Sequence, residues 1–199
     1  MLLCGRRVMY TPGQASHDFL TITHLPALVA AEQITTGDTI ELGCGLGSTP
    51  MLNMLSRVKG RKVFSYESDA EWYAKFTHLQ TKNHKIIKVD SFDEVPIAPC
   101  GMILIDHAPA ERRQVEIASF KDIADVLVCH DSELEQYYSY DFAQFKYKYV
   151  YDVYPKTTHL VSNKIDIAWH FDGSPDRRPT CDCHGVADCP SYGQRGAYK

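Results

Sequence analysis

Between residues 38 and 130 the sequence alternates short apolar segments with polar segments of helical length. The apolar segments are rich in β-branched residues, which is typical of strands buried on both faces of a sheet. They are Thr39–Leu42, Lys62–Tyr66, Lys85–Val89, Met102–Ile105 and Val126–Cys129. The segments Ser48–Arg57, Asp69–Leu79 and Ala110–Phe120 lie between them and are predicted helices. Strands that alternate with helices indicate βαβ units and a parallel sheet.

The flanking segments extend this pattern on both sides. His17–Glu32 is predicted to be an amphipathic helix, in which Pro26 either introduces a kink or begins a second, shorter helix. Leu134–Ala143 is predicted to form a short helix. Phe145–Tyr154 and Thr158–Trp169 have the pattern of two long adjacent strands, which favours an antiparallel hairpin.

These segments together predict an α/β fold. The expected architecture is a Rossmann-like, seven-stranded, mostly parallel sheet with helices on both faces and a C-terminal antiparallel hairpin. One domain is expected over residues 1–171. Residues 172–199 are rich in Pro and Gly, and we predict a tail that is either disordered or organised by a metal ion. The candidate zinc ligands of this tail are Cys181, Cys183, His184 and Cys189.

The composition excludes several classes of protein. The net charge of -4 argues against a mainly electrostatic nucleic-acid binder. No apolar run approaches the roughly 20 residues of a membrane helix, and Met1–Met9 is too short for a signal peptide. Most of the 7 cysteines are scattered singly through apolar segments, which indicates reduced thiols and a cytoplasmic location rather than a disulfide framework.

A glycine-rich loop directly follows the first predicted strand and precedes a helix. Gly43, Gly45 and Gly47 would let the backbone turn sharply and approach a ligand closely. The free N–H groups of the following helix would face the same crevice, where ligands of open α/β sheets bind. The alternative is a tight turn without a ligand.

The segment Glu41-Leu-Gly-Cys-Gly-Leu-Gly47 resembles motif I of the class I S-adenosylmethionine-dependent methyltransferases, (D/E)-x-G-x-G-x-G. The resemblance covers about residues 15–170 and continues at the ends of the next three strands. It implies that Glu67 holds the ribose hydroxyls, that Asp90 and Ser91 contact the adenine, and that Asp106 faces the methyl group. The implied cofactor is S-adenosyl-L-methionine, bound by Glu41, Gly43, Gly45, Gly47, Glu67, Asp90, Ser91 and Asp106.

Two of these acids have simpler interpretations. Glu67 is alternatively an acid at a helix terminus that contacts no ligand. Asp90 is followed by Asp93 and Glu94, so its segment is alternatively a solvated loop.

Polar clusters follow the fourth and fifth predicted strands. Asp106 and His107 follow one strand, and His130 and Asp131 end the other, so all four are expected at the same edge of the sheet. The clusters also resemble the metal-dependent O-methyltransferases, which implies a divalent metal held by Asp106, His130 and Asp131. His130 departs from that family's Asp-Asn pair, and an Asp/His/Asp set favours a softer ion than magnesium.

Without a metal, His107 or His130 is the natural general base, since imidazole titrates near neutral pH. The candidate catalytic residues are therefore Asp106, His107 and His130. Each histidine is alternatively a solvated or capping residue. His24, in the first predicted helix, is interpreted as a solvated surface group.

The resemblance implies a methyltransferase, and our interpretation is that it acts on an oxygen atom of a small molecule or saccharide. The (D/N/S)-P-P-(Y/F) signature of amino-methylating DNA enzymes is absent, which disfavours base methylation. The alternatives are a non-catalytic module that binds the cofactor or supports a partner, and a nicotinamide-dependent enzyme. The glycine spacing disfavours the latter, because it is not the dinucleotide G-x-G-x-x-G.

Overall fold

The described residues form one seven-stranded sheet in the order β3-β2-β1-β4-β5-β7-β6. The computed structural model describes residues 22–153 and 156–171. The strands are β1 (Thr39–Leu42), β2 (Val63–Glu67), β3 (His84–Lys88), β4 (Cys100–Ile105), β5 (Ala124–His130), β6 (Tyr147–Val153) and β7 (Lys156–Ser162). The α-helices are α1 (Leu25–Ile34), α2 (Ser48–Lys59), α3 (Ala70–Phe76), α4 (Arg113–Phe120) and α5 (Ile167–Phe171).

The first five strands run parallel, and the last two are antiparallel to their neighbours, which confirms the predicted fold class. Every residue of β1 and β4 is buried, as expected of strands that are covered on both faces. The chain leaves β1 for β2 on one side and returns to β4 on the other. This reversal opens a crevice at the carboxyl ends of β1 and β4.

The core lies on both faces of the sheet, because successive side chains of a strand point to opposite faces. Met102 and Leu104 of β4 belong to a cluster with side chains of α1, α2 and α5. Ile103 and Ile105 belong to the opposite cluster, together with Ile117 and Phe120 of α4.

The first helix of the described residues begins at Leu25, with Pro26 in its first turn. The alternative in which Pro26 starts a helix is therefore confirmed, since proline is favoured at this position. The part of the predicted helix before residue 22 lies outside the described residues, as do Pro155 and the tail 172–199 with its cysteines.

The predicted helix Leu134–Ala143 is wrong. Two short 3-10 turns, Ser132–Leu134 and Phe142–Gln144, occupy the ends of this region. Ser139 has a positive φ of 59° between them, which no α-helix accommodates. The side chain of Asp141 then accepts a hydrogen bond from the backbone of Ala143, and such a local contact competes with helix formation.

The predicted strand Thr158–Trp169 is too long, because β7 ends at Ser162. The Ser162 hydroxyl accepts hydrogen bonds from the backbone N–H groups of Lys164 and Ile165 and donates one to Asp125 O. These contacts turn the chain into α5, which covers the sheet instead of extending it. No helix among the described residues has the length and apolarity required to cross a membrane.

Candidate active site

A cavity of about 610 Å³ opens at the carboxyl ends of the parallel strands. Its volume is in the range of sites for small organic ligands. The sequence-predicted residues in its wall are Gly43, Gly45, Glu67, Asp106, His107, His130 and Asp131.

The glycine loop passes very close to the end of β4. Gly43 has a φ of +88°, and a Cβ there would lie 2.7 Å from the Cα of His107. Gly45 donates its N–H to the Thr49 hydroxyl at 2.9 Å. Gly47 caps the N-terminus of α2 and lies outside the cavity wall. The glycines therefore bring backbone, without side chains, to the edge of the cavity.

Glu41 lies beneath this loop and is fully buried. Its carboxylate accepts hydrogen bonds from the hydroxyls of Thr49, at 3.0 Å, and Ser65. Because Thr49 also accepts from Gly45, Glu41 acts on the loop through Thr49. Burial raises the pKa of Glu41 to about 7, although these hydrogen bonds act in the opposite direction.

Replacing Glu41 with glutamine is expected to stabilise the protein at pH 8 but not at pH 4. The folded state binds the carboxyl proton more tightly than the unfolded chain, whose pKa is near the ordinary 4.5. Wild-type stability from this group is therefore lost as the pH rises from about 4.5 to about 7, by about 3 kcal/mol. Thermal melts of both proteins between pH 4 and 8 measure the difference. A constant difference across this range would contradict the assignment.

Glu67, at the end of β2, faces the cavity with both carboxylate oxygens held in place. Oε2 accepts from the Cys44 N–H at 2.9 Å, and Oε1 accepts from the Asp69 N–H at 2.7 Å. Trp72, which the sequence analysis missed, donates its indole N–H to the Cys44 carbonyl and lines the same wall. Its position in the first turn of the helix after β2 was the available signal.

Asp90 and Ser91 lie outside the cavity wall. The Asp90 side chain is 98% exposed. Ser91 caps a 3-10 turn, where its hydroxyl accepts from the Asp93 N–H and its N–H donates to Glu94. Ser91 therefore stabilises a surface turn, whereas Asp90 contributes only its backbone N–H, which donates to Glu94 at 2.9 Å.

Asp106 and His130 form a hydrogen-bonded pair at the back of the cavity. Oδ2 of Asp106 lies 3.1 Å from Nδ1 of His130, and Oδ1 lies 3.1 Å from Arg113 Nη2. Burial by itself would raise the pKa of Asp106, but His130 and Arg113 outweigh it and lower that pKa to about 2. Burial lowers the pKa of His130, but the Asp106 and Asp131 carboxylates outweigh it and raise that pKa above the ordinary value. At neutral pH Asp106 is therefore a carboxylate that accepts from imidazole.

His107 and Arg113 are both buried and make contacts within the protein. The His107 side chain is 0% exposed, with Nε2 3.0 Å from Glu116 and its ring stacked on Phe92. Arg113 donates to the backbone carbonyls of His107 and His130 at 2.7 and 3.0 Å. Arg113 therefore ties the ends of β4 and β5 together, a role that its place in a polar Arg-Arg pair did not indicate.

Asp131 is adjacent to the pair but faces other partners. Its Oδ1 lies 3.0 Å from Lys156 Nζ, and its Oδ2 lies 3.7 Å from Arg113 Nη1. Oδ1 is also 3.7 Å from His130 Nδ1.

His24 was predicted to be a solvated surface group, but it is 1% exposed and packs against His130 with ring centroids 4.4 Å apart. His24, Asp106 and His130 each place a ligand-capable atom within 4.8 Å of the others, and this group does not include Asp131. The prediction that His24 lies on the surface is therefore wrong. The part of the structure that is described thus offers a nitrogen-rich donor set, which fits a transition metal better than magnesium.

No known family model matches the sequence, and no curated protein is significantly similar to it. Solved structures do share its fold. Human methyltransferase-like protein 13 in complex with S-adenosylhomocysteine is 16% identical, with a TM-score of 0.54 over 83% of this chain and 98% of that one. An S-adenosylhomocysteine-bound Podospora anserina methyltransferase is 11% identical, with a TM-score of 0.56 over 70% and 77% of the two chains.

The protein has the fold of the class I methyltransferases. The strand order and the antiparallel β6–β7 pair agree with this assignment. At sequence identities this low, the structural similarity establishes only the fold. The activity has to be argued from the residues of the site.

Proposed function

We propose that this protein is an S-adenosyl-L-methionine-dependent methyltransferase that acts on an oxygen atom of a small molecule or saccharide. The observation that carries the proposal is the meeting of Gly43, Glu67 and Asp106 on one cavity at the sheet reversal. These three residues match the parts of such a cofactor. Gly43 allows a close backbone approach, Glu67 offers a carboxylate for the pair of ribose hydroxyls, and Asp106 is an acid further along the crevice. The two similar structures with bound S-adenosylhomocysteine support it.

Glu67 is the proposed ribose-binding residue. Each of its oxygens accepts one backbone hydrogen bond, and a carboxylate oxygen can accept a second. The glycine loop from Gly43 to Gly45 would lie against the cofactor chain, and Trp72 would supply a flat apolar wall. Glu41 positions the loop from below, and Asp90 and Ser91 are left out of the proposed binding set because they do not line the cavity.

When bound, the cofactor supplies a methyl group activated by a sulfonium leaving group. The protein then aligns the acceptor oxygen with that methyl carbon and receives the proton of the acceptor hydroxyl. Asp106 is ionised and its side chain is 19% exposed, so we propose that it accepts a hydrogen bond from the acceptor hydroxyl. His130 has partners at both ring nitrogens, Asp106 and Thr23, and His107 is fully buried, so both are proposed positioning residues.

The surroundings of the cavity favour an uncharged or cationic acceptor. The cavity wall has more carboxylates than cations: the acids are Glu67, Asp69, Glu71, Asp106 and Asp131, and the cations are Lys75, Arg113 and Lys156. These carboxylates and the overall charge of -4 disfavour a nucleic acid. Cys44, Cys100 and Cys129 are free and buried, and we propose a reducing compartment such as the cytoplasm.

The test is methyl transfer from labelled S-adenosylmethionine to a panel of hydroxylated small molecules and saccharides, with product mass as the readout. A mass gain of one methyl group on an oxygen is the expected result. Transfer to nitrogen or to RNA alone would overturn the acceptor class. Cofactor binding without transfer to any member of the panel would favour the non-catalytic module.

The Asp106→Asn variant is expected to lose at least about 100-fold in turnover of the acceptor found by the panel. The amide cannot take up the hydroxyl proton and no longer carries the charge that the Asp106–His130 pair requires. Steady-state kinetics measure the loss. Asp93→Asn is the matched control, because Asp93 is an exposed acid that pairs with Arg112 outside the cavity. Equal turnover of the two variants would exclude Asp106 from the reaction.

A further inference from the structure

Three side chains at the back of the cavity form a cluster, of which the proposed methyl transfer uses Asp106 and His130 but not His24. His24 precedes α1, Asp106 follows β4 and His130 ends β5. From their geometry we infer that His24, Asp106 and His130 bind one divalent transition-metal ion. Their ligand atoms already lie within 4.8 Å of one another. The inference is independent of cofactor binding.

The buried imidazole of His24 is the strongest observation. Neither Nδ1 nor Nε2 of this ring has a hydrogen-bond partner among the described residues, and His24 is 1% exposed. A buried polar group without a partner is rare in folded proteins, and a bound ion is one of its standard explanations. The ring also packs against His130, with ring centroids 4.4 Å apart, so the two imidazoles lie side by side.

Asp106 and His130 already have the spacing of two neighbouring ligands. Oδ2 of Asp106 and Nδ1 of His130 are 3.1 Å apart. Two atoms bound to one ion at about 2.1 Å would be about 3.0 Å apart at a right angle and about 3.4 Å apart at the tetrahedral angle. A metal bound to both atoms would therefore take the place of the hydrogen bond between His130 and Asp106.

Outer contacts hold both groups in this orientation. Arg113 Nη2 lies 3.1 Å from Oδ1 of Asp106, which leaves Oδ2 for the ion. Thr23 Oγ1 lies 2.9 Å from Nε2 of His130, which leaves Nδ1. Hydrogen bonds to the far side of ligating groups are a regular feature of metal sites, because they fix the tautomer and orientation of each ligand.

The donor set defines the class of metal. Two imidazole nitrogens and one carboxylate suit zinc, iron(II), cobalt or nickel, whereas magnesium and calcium prefer oxygen donors. The nearby carboxylates of Asp106 and Asp131 are balanced by Arg113 and Lys156. Binding therefore depends on the nitrogen donors more than on a general negative charge. The two-histidine, one-carboxylate set also leaves coordination positions open, on the side where Asp106 and His130 line the cavity.

The test is a calorimetric titration of the full chain with Zn²⁺. Cys181, Cys183 and Cys189 are first replaced by serine, because the tail is a separate candidate zinc binder. This parent is expected to bind one Zn²⁺. His24→Leu and Asp106→Asn are expected to weaken binding at least 100-fold, and Asp131→Asn less than fivefold.

Thermal melts, run once in EDTA and once with Zn²⁺ in place of EDTA, separate a metal ligand from a merely structural histidine. His24→Leu removes a buried imidazole that has no partner among the described residues, so its metal-free form is expected to melt at or above the parent's temperature. Zn²⁺ is expected to raise the melting temperature of the parent and to leave His24→Leu unchanged. S-adenosylhomocysteine affinity in EDTA is expected to be the same in both, so a failed metal site would leave the proposed function untouched.

Three results would overturn the inference: a parent that binds no Zn²⁺, a His24→Leu variant that binds it as the parent does, or an Asp106→Asn variant that binds it as the parent does. Loss of binding in both Asp106→Asn and Asp131→Asn, with His24→Leu unaffected, would restore the set Asp106, His130 and Asp131.

Discussion

Replacing Glu67 with glutamine is expected to weaken S-adenosylhomocysteine binding by about 10- to 100-fold. Hydrogen bonds to a charged group contribute about 1.5–3 kcal/mol, and 1.4 kcal/mol corresponds to a tenfold change in affinity. The variant also loses one loop contact, because a glutamine amide cannot accept from both the Cys44 and the Asp69 N–H groups. Isothermal titration calorimetry measures the affinity of each protein.

Glu71→Gln is the matched control for this experiment. Glu71 lines the same cavity, and the substitution makes the same change in charge, but the residue is exposed and holds no backbone N–H group of the loop. We expect its affinity to change less than about threefold. Equal effects of the two substitutions would mean that only the overall charge of the cavity matters, and the ribose assignment of Glu67 would then be wrong.

Replacing Gly43 with alanine is expected to destabilise the protein by about 3 kcal/mol. A left-handed conformation costs a non-glycine residue about 1–2 kcal/mol, and overpacking adds about 1–3 kcal/mol. The added Cβ would lie 2.7 Å from the Cα of His107 and 2.8 Å from the Asp106 carbonyl oxygen. Both are backbone atoms at the end of β4, so neither can move away without displacing the site.

For a chain of this length, about 3 kcal/mol corresponds to a fall in melting temperature of about 6–12 °C. Gly60→Ala supplies the comparison, because Gly60 has a φ of +68° but a Cβ there would meet nothing within 4 Å. That variant has only the conformational cost of about 1–2 kcal/mol, so we expect a smaller fall of about 2–8 °C. A Gly43→Ala protein as stable as Gly60→Ala would show that the loop does not depend on close contact with β4.

The sheet could be predicted because its strands are buried on both faces, and burial leaves a continuous apolar pattern in the sequence. Strand β4, from Cys100 to Ile105, is the clearest example. The region from residue 132 to 144 could not be predicted in this way. Its tyrosines and acids have the pattern of a helix surface. The positive φ of Ser139 and the side-chain contact of Asp141 depend on local backbone geometry, which the spacing of apolar residues does not reveal.

The same distinction applies to the candidate site: positions set by strand order could be predicted, and contacts that depend on tertiary packing could not. Strand order alone places Glu67, Asp106 and His130 at one edge, and the sequence predicted that edge. The burial of His24 could not be predicted, because it depends on how the start of α1 packs against the end of β5. Arg113 is similar: its contacts with the carbonyls of His107 and His130 exist only once β4 and β5 are adjacent.

The central claim is that this cavity binds the adenosyl sulfur cofactor. Its most direct test is the melting temperature of the purified protein with S-adenosylhomocysteine or NAD, each in EDTA. A ligand at about 100 times its dissociation constant stabilises by about 2.7 kcal/mol, or about 5–10 °C for a chain of this size. The account predicts that rise with S-adenosylhomocysteine, its reduction in the Glu67→Gln variant, and no rise with NAD. A rise with NAD alone, or none with either compound, would contradict it.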